Sequence, residues 1–458
     1  MSIVANFVIF NYLWYNYIKK ESDYMYHFIG IQGAGMSALA VILKGLGYEV
    51  KGSDVDKHFF TEVELINNNI PVTVYDEKNI YNGLTIIKGA SITEDNVELI
   101  KARELNLEII DYEVMLGKLT KEFKTICIAG CHGKTTTTAM TAHVLNSIEG
   151  INYLIGDGTG YANKDNSLFA LESCEYKRHF LNYQPYYAVI LNIDLDHVDY
   201  YKNIDDIISA YQEFASKATK MVIACGDDEN VHKMKLAKQI AYFGLKDNND
   251  IKAINIEYHK DGTSFDVIAE NKKYGHYDAP IYATHQLLDA LAVISICYYE
   301  NISSEEVTKY FKTFKGAKRR FTETICGNNI IIDDYAHHPN EVKATINAAR
   351  QKYPGKTIVT IFQPHTFTRT KEFASDLAQV FSEVDAAYIM DIHPAREKQA
   401  DYPDITKNII IDKLANGHPL TINDASELNK FDNAVFLFMS PNDISKLEDD
   451  LVKLKGNF

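Results

Sequence analysis

Thr125-Ile-Cys-Ile-Ala-Gly-Cys-His-Gly-Lys-Thr-Thr136 decides how this chain is read. Five residues, apolar apart from a β-branched Thr, form a short buried strand. Gly130-Cys-His-Gly133-Lys134-Thr135-Thr136 then turns the chain into a helix. This is a shortened relative of the P-loop. Its glycines let backbone N–H groups point at phosphate oxygens, and the helix N-terminus adds partial positive charge. Lys134 reaches the β- and γ-phosphates, and the Thr135 hydroxyl suits Mg²⁺. A nucleoside triphosphate is therefore the expected ligand.

Upstream, Tyr26–Ile31 reads as a strand, followed by Gly33-Ala-Gly35-Met-Ser-Ala38 and a helix to about Leu46. The G-x-G-x-x-A spacing, with Asp54 about 20 residues on, suits any diphosphate. Tyr48–Lys51 is a second strand, ending in Gly52-Ser53-Asp54. Further strands are expected at 84–87, 107–110, 187–191 and 221–225, with helices at 204–219 and 285–300. Strand–helix alternation argues for an α/β chain with parallel sheets. Boundaries near 118 and 314 divide it into 25–118, 119–314 and 315–458, after an uncertain extension at 1–24.

The third unit has strands at 330–333, 357–361, 387–390 and 435–438. Asp333-Asp334-Tyr335-Ala-His337-His338-Pro339 ends its first strand, and Gln363-Pro-His365 with Arg369 ends the next. Two polar loops on adjacent strand ends would face one crevice, which suits a substrate site better than a metal site. In the central unit Glu172 and His197 also follow strands and are candidate Mg²⁺ ligands with Thr135, although Mg²⁺ prefers oxygen.

Composition limits the partners. The chain has 458 residues, 47 Lys+Arg and 62 Asp+Glu, giving a net charge of −15. Such an acidic protein is a poor nonspecific nucleic-acid binder, so phosphates must be met by local cations, backbone amides and metal ions. Six scattered cysteines without a C-x-x-C pair fit a reducing cytoplasm. Ser2–Ile18 is apolar, but its positive charge follows the run and three Asn interrupt it. It reads either as sequence upstream of a functional start at Met25 or as a membrane-contacting segment.

At this point the sequence resembles the Mur ligases. The matching segments are His27–Ser37, Gly130–Thr136, Glu172-Ser-Cys-Glu-Tyr176, Asn192-Ile-Asp-Leu-Asp-His197, Arg319-Arg-Phe321, Asp333–Pro339, Phe362–His365 with Arg369, and Asp391–Glu397. The resemblance implies a Rossmann-like UDP-sugar domain, a central ATPase domain and a Rossmann-like C-terminal domain. It also implies cytoplasmic peptidoglycan precursor synthesis: ATP would phosphorylate the carboxylate of UDP-N-acetylmuramate, and L-alanine would attack the acyl phosphate. A relative that ligates recycled muropeptides shares nearly every motif and is the alternative. By family position Gly33, Ala34, Gly35, Met36, Ser37, Ser53 and Asp54 would meet the UDP-sugar. Gly130, His132, Gly133, Lys134, Thr135 and Thr136 would hold ATP, with His285, Asp289, Arg320 and Asp334. Tyr335, His337 and Arg369 would surround alanine, with His337 the candidate base.

Four positions depart from the pattern. Cys131 replaces a usual Thr and suggests a redox-sensitive thiol beside ATP. His285-Gln-Leu-Leu-Asp289 replaces His-Asn-x-x-Asn, and an ionised Asp cannot donate as Asn does. Thr366 stands where many members carry a second Arg, and Ser440-Pro-Asn-Asp-Ile444 replaces Gly-Ala-Gly-Asp-Ile. Two readings from other classes are a nicotinamide-dependent oxidoreductase, which leaves Gly133-Lys134-Thr135 unexplained, and a non-catalytic nucleotide-gated binding protein.

Overall fold

The computed structural model describes residues 25–456 apart from 58, 199 and 396. The two readings of segment 1–24 concern residues outside these. No helix among the described residues is long and apolar enough to cross a membrane.

Three sheets organise the chain. The first is five-stranded and wholly parallel, in the order Val72–Val74, Glu49–Asp54, Met25–Ile29, Leu84–Lys88, Ile109–Asp111. Its first strand in sequence lies in the middle, so the chain reverses direction of travel there. Ligands of open α/β sheets bind at such a switch, beyond the carboxyl strand ends. The second strand runs through Asp54 rather than stopping at Lys51. Gly52 makes this possible, because a Cβ there would lie 2.7 Å from the Phe28 carbonyl.

The central sheet has ten strands. Lys124–Ala129 sits between Leu168–Glu172 and Tyr187–Ile190, parallel to both, so the switch point falls at the strand that feeds the Gly-rich turn. Five of its six residues are buried. Burying each large apolar side chain is worth about 1.5–3 kcal/mol. The following helix, Lys134–Ile148, opens with four Thr, which are weak helix formers. Thr138 and Thr141 donate to the carbonyls four residues back at 2.8 Å, and the helix is held by burial rather than propensity.

The sheet continues where no strand was expected. Ile251–His259, Gly262–Ala269 and Lys272–Ala279 form an antiparallel meander at its edge. Glu270 and Asn271 both have positive φ, as a two-residue hairpin turn demands. Its outward face carries Lys, His and Asp, which hides the apolar alternation in the sequence.

The third sheet has the order Thr322–Cys326, Asn329–Asp334, Ala434–Met439, Thr357–Phe362, Ala386–Ile389, Gly417–Pro419, parallel except for its first pair. The last long strand inserts between the two that carry the polar loops, so those strands are not adjacent as the sequence suggested. Pairing on both sides suits Ala434–Met439, since all six of its residues are buried.

Candidate active site

The Gly-rich turn after Lys124–Ala129 has the geometry its residues require. Gly133 has φ +81° and caps the helix, and Gly130 has φ +156°. A Cβ on Gly133 would stand 2.4 Å from Asp289 Oδ1. Lys134 Nζ lies 3.0 Å from Glu175 Oε2 and donates to the Gly130 carbonyl at 2.5 Å. Glu175 is wholly buried, and burial alone would raise its carboxyl. The Lys134 ammonium and His197, 3.5 Å away, overcome this and hold it below the ordinary value. Thr135 Oγ1 donates to Glu172 Oε1 at 3.2 Å, and Glu172, raised by burial, also accepts from the Gly156 amide at 2.7 Å.

These contacts divide the expected metal set. Thr135 and Glu172 form one oxygen pair. His197 instead joins Glu175 and Asp196, whose ligand atoms lie within 4.8 Å of one another. The Thr135 and Glu172 oxygens fit a hard cation beside a phosphate, whereas His197 belongs to the neighbouring group.

The C-terminal unit reaches over the turn. His132 Nδ1 is 3.2 Å from Glu341 Oε1, and its Nε2 is 3.5 Å from Asp194 Oδ2. Burial would lower this imidazole, but the two carboxylates outweigh it and push it up to about 9. Arg320 Nη2 donates to Thr135 Oγ1 at 3.4 Å while its guanidinium lies 4.9 Å over the Tyr335 ring. Asn340 donates to Asp194 at 2.7 Å, and Arg369 pairs with Asp196. His337 lies in the same rim, its ring 6.1 Å from His365, which in turn stacks on His393 at 5.8 Å. The two polar loops therefore share a crevice despite the strand between them.

Between the units lies a cavity of about 540 Å³. Leu191, Cys225, Phe243 and Leu288 line it together with His132, Gly133 and Arg320. His285 and Asp289 line it, as does Asp334. Burial lowers His285 to about 4, keeping it neutral, and raises Asp289 to about 7. A carboxyl that holds its proton near neutrality can donate a hydrogen bond, which narrows the difference from Asn at this position. Burial likewise raises Asp334 to about 6, although its oxygens accept the Phe321 and Ala336 amides at 2.9 and 2.8 Å.

The first Gly-rich turn is built differently. Gly33 is exposed, and Ala34 and Gly35 are partly so, while Met36 and Ser37 are buried in the helix Ala34–Gly45. Ser37 donates to the Ala34 carbonyl at 3.1 Å. Ser53 is fully buried against Glu98 and His27, so its side chain is committed beneath the sheet rather than turned toward the crevice. Asp54 accepts the Gln32 amide at 2.7 Å and Tyr75 at 3.3 Å, which orders the turn from below.

The three other departures are structural. Cys131 is buried, with Sγ 3.0 Å from the Asp194 carbonyl, and burial pushes its thiol well above the ordinary value. It is an inert core thiol, not the reactive one the sequence suggested. Thr366 caps the helix Phe367–Phe381 by accepting the Arg369 amide at 3.4 Å. The Ser440–Asn442 carbonyls receive the Arg319 guanidinium, with Nη2 at 2.8 Å from Ser440 and 2.9 Å from Asn442. Sequence reading gave no role to Glu175, Asp194, Asn340 or Glu341, although Glu175 and Asp194 lie within the matched segments 172–176 and 192–197. Glu341 also had a local signal, three residues into a Pro-led helix, where it reads as a capping-box acid.

Fold and site together define a three-unit α/β protein with a P-loop-type turn beneath an interdomain cleft. Three sequence profiles match in order: the Mur ligase family catalytic domain over 25–124, the Mur ligase middle domain over 128–297, and the Mur ligase glutamate ligase domain over 319–443. The chain belongs to the Mur ligase family and is an ATP-dependent ligase of peptidoglycan synthesis. Among solved structures it is similar to the UDP-N-acetylmuramate–alanine ligase MurC of Thermotoga maritima, at 25% identity and TM-score 0.77, covering 94% of this chain and 98% of that one. A murein peptide ligase of Psychrobacter arcticus has the same fold at 20% identity and TM-score 0.71, covering 95% and 99%. MurF of Thermotoga maritima, solved with ADP, follows at 17% identity and TM-score 0.60, covering 88% and 94%.

Proposed function

We propose that the protein joins L-alanine to UDP-N-acetylmuramate at the expense of ATP, in the cytoplasm. Residues 25–118 bind the UDP-sugar, 119–314 bind ATP, and 315–458 complete the ligase site. The observation that carries the reading is the closure of the C-terminal loop on the phosphate turn, through His132–Glu341 at 3.2 Å and Arg320–Thr135 at 3.4 Å. It sets Tyr335, His337 and Arg369 at the rim of the cleft that Lys134 serves.

The muramyl carboxylate attacks the γ-phosphorus, and ADP leaves. Two anions must meet, so Lys134 and Arg320 neutralise charge that grows in the transition state. Thr135 and Glu172 would hold Mg²⁺, which would supply further neutralisation of the phosphates. His285 and Asp289 serve the nucleoside end, and Asp334 holds the Arg320-bearing segment by accepting the Phe321 amide. The alanine amine attacks the acyl phosphate, forming the amide and expelling phosphate. His337 takes the ammonium proton, and Arg369 binds the amino-acid carboxylate after exchanging Asp196 for it. Closure keeps water from the acyl phosphate.

Phosphate release tests this. With ATP, Mg²⁺ and UDP-N-acetylmuramate present, turnover should require an amino acid, and L-alanine should exceed serine, glycine and a muropeptide tripeptide. Preference for the tripeptide would transfer the protein to the recycling ligases. No amino-acid dependence would remove the ligation reading.

A further inference from the structure

Glu341 lies at the centre of the closed rim. Its Oε1 faces His132 Nδ1 at 3.2 Å, on the phosphate turn. Its Oε2 accepts the backbone N–H groups of His337 and His338 at 3.1 and 3.2 Å and lies 3.2 Å from His337 Nδ1. His337 Nδ1 also faces the Tyr335 carbonyl at 3.1 Å. With two acceptors before it, Nδ1 carries the proton, which leaves the lone pair on Nε2. That is the tautomer a base needs.

We infer that Glu341 is a positioning residue that fixes the tautomer and orientation of His337 and ties it to the phosphate turn through His132. Closing the cleft and aligning the base are then one event. The inference rests on His337 as the base proposed above. A cap alone does not require this arrangement, because a capping acid needs only the backbone N–H groups. Here one carboxylate oxygen is given to the loop and the other to a different unit, 209 residues away in sequence. Burial would raise the Glu341 carboxyl, but His337 and His132 hold it well below the ordinary range, so it is an anion at working pH. The titratable groups that face it are His132 on the turn, His337 and His338 at its own helix start, and Asp334 and Tyr335 at the preceding strand end.

The test compares the wild type with Glu341→Gln and Glu341→Asp in the full chain, by steady-state kinetics and by NMR of the histidine ring nitrogens at one fixed alkaline pH, which reports which nitrogen carries the proton. Gln keeps the backbone acceptor and removes the charge. It should lower kcat by about 100-fold with KM for ATP within about threefold, at the low end of the range ascribed to general-base catalysis. Asp keeps the charge and should recover a large part of the lost kcat. A Gln variant with kcat within about twofold, or an Asp variant no better than Gln, overturns the inference. The NMR arm stands apart from the functional reading: even if the wild type failed to ligate, the His337 ring should report a single Nδ1–H tautomer in the wild type and a mixture in Glu341→Gln. An unchanged tautomer there refutes the coupling. If the Gln variant does not fold, Glu341→Asp should keep the wild-type tautomer of His337, and its loss overturns the inference.

Discussion

The two Gly-rich turns occupy equivalent places, each after a strand paired in parallel on both sides and before a helix, yet they are equipped differently. Gly33-Ala-Gly35 is followed by Met36-Ser37 with no lysine or threonine, and order comes from Asp54 accepting the Gln32 backbone amide and Thr61 donating to the Gln32 carbonyl. At Gly130–Gly133 the turn is followed at once by Lys134 and Thr135, backed by Glu175 and Glu172 and roofed by Arg320 and Glu341. The first can offer a diphosphate backbone amides and a helix dipole. On the proposed function the second adds cations that would stabilise charge as it moves, which is what separates holding a phosphate from transferring one.

Lys134→Ala should break this contrast most severely. Turnover should fall by about 10³-fold or more, since the group neutralising the transferred phosphoryl is lost. Glu175 would also remain as an unpaired buried anion, so the melting temperature should drop; breaking a buried pair costs about 3–5 kcal/mol. Adding Glu175→Gln should restore the melting temperature and leave turnover absent. Recovered turnover in the double variant would separate Lys134 from the chemistry.

Gly133→Ala comes next. Its positive φ costs about 1–2 kcal/mol for a residue with Cβ, and the new methyl would meet Asp289. ATP affinity, read by calorimetry, should fall by about tenfold or more while UDP-sugar affinity holds. Gly35→Ala tests the other turn. There the methyl would lie 2.5 Å from the Tyr112 hydroxyl, the outer end of a side chain. UDP-sugar affinity should weaken by a few-fold, ATP affinity should hold, and Tyr112→Phe should return part of the loss. An effect of Gly35→Ala on ATP alone would erase the division between the turns.

The smallest effect concerns Asp289. Its folded carboxyl keeps a proton up to about 7, against an ordinary value of 3.8 in the unfolded chain. Between these values the folded state binds more protons, so stability should fall as pH rises from about 4 to 7. Asp289→Asn should flatten that slope in chemical denaturation. It should also remove any rise of KM for ATP above pH 7, where the wild-type carboxylate would face the phosphates. Parallel pH profiles for the two proteins would count against a protonated Asp289.

Much of this was legible in the residues. The strand before each turn is a dense apolar run, and glycine spacing with Lys134 and Thr135 is the local pattern on which the proposed phosphate site rests. The meander at 251–279 escaped although Gly262–Ala269 alternates, because in Lys272–Ala279 only Tyr277 and Ala279 are buried and the outer strand carries little apolar pattern. The order of the third sheet escaped because Ala434–Met439 pairs with strands about 75 and 100 residues earlier, which nothing local records. Cys131 read as a redox-sensitive thiol beside ATP and proved to be buried against the Asp194 carbonyl.

By itself the sequence determined the α/β alternation, the two phosphate-type turns and the kinds of residue at the crevice, since these depend on periodicity and backbone freedom within a few residues. Only the tertiary structure decided which charges meet. Glu175 holds Lys134, His197 stands with Asp196 and not with Thr135, and Glu341 joins two units. Burial makes these choices: a group taken out of water must find a partner wherever the fold supplies one, and that distance is not written in the spacing of the chain.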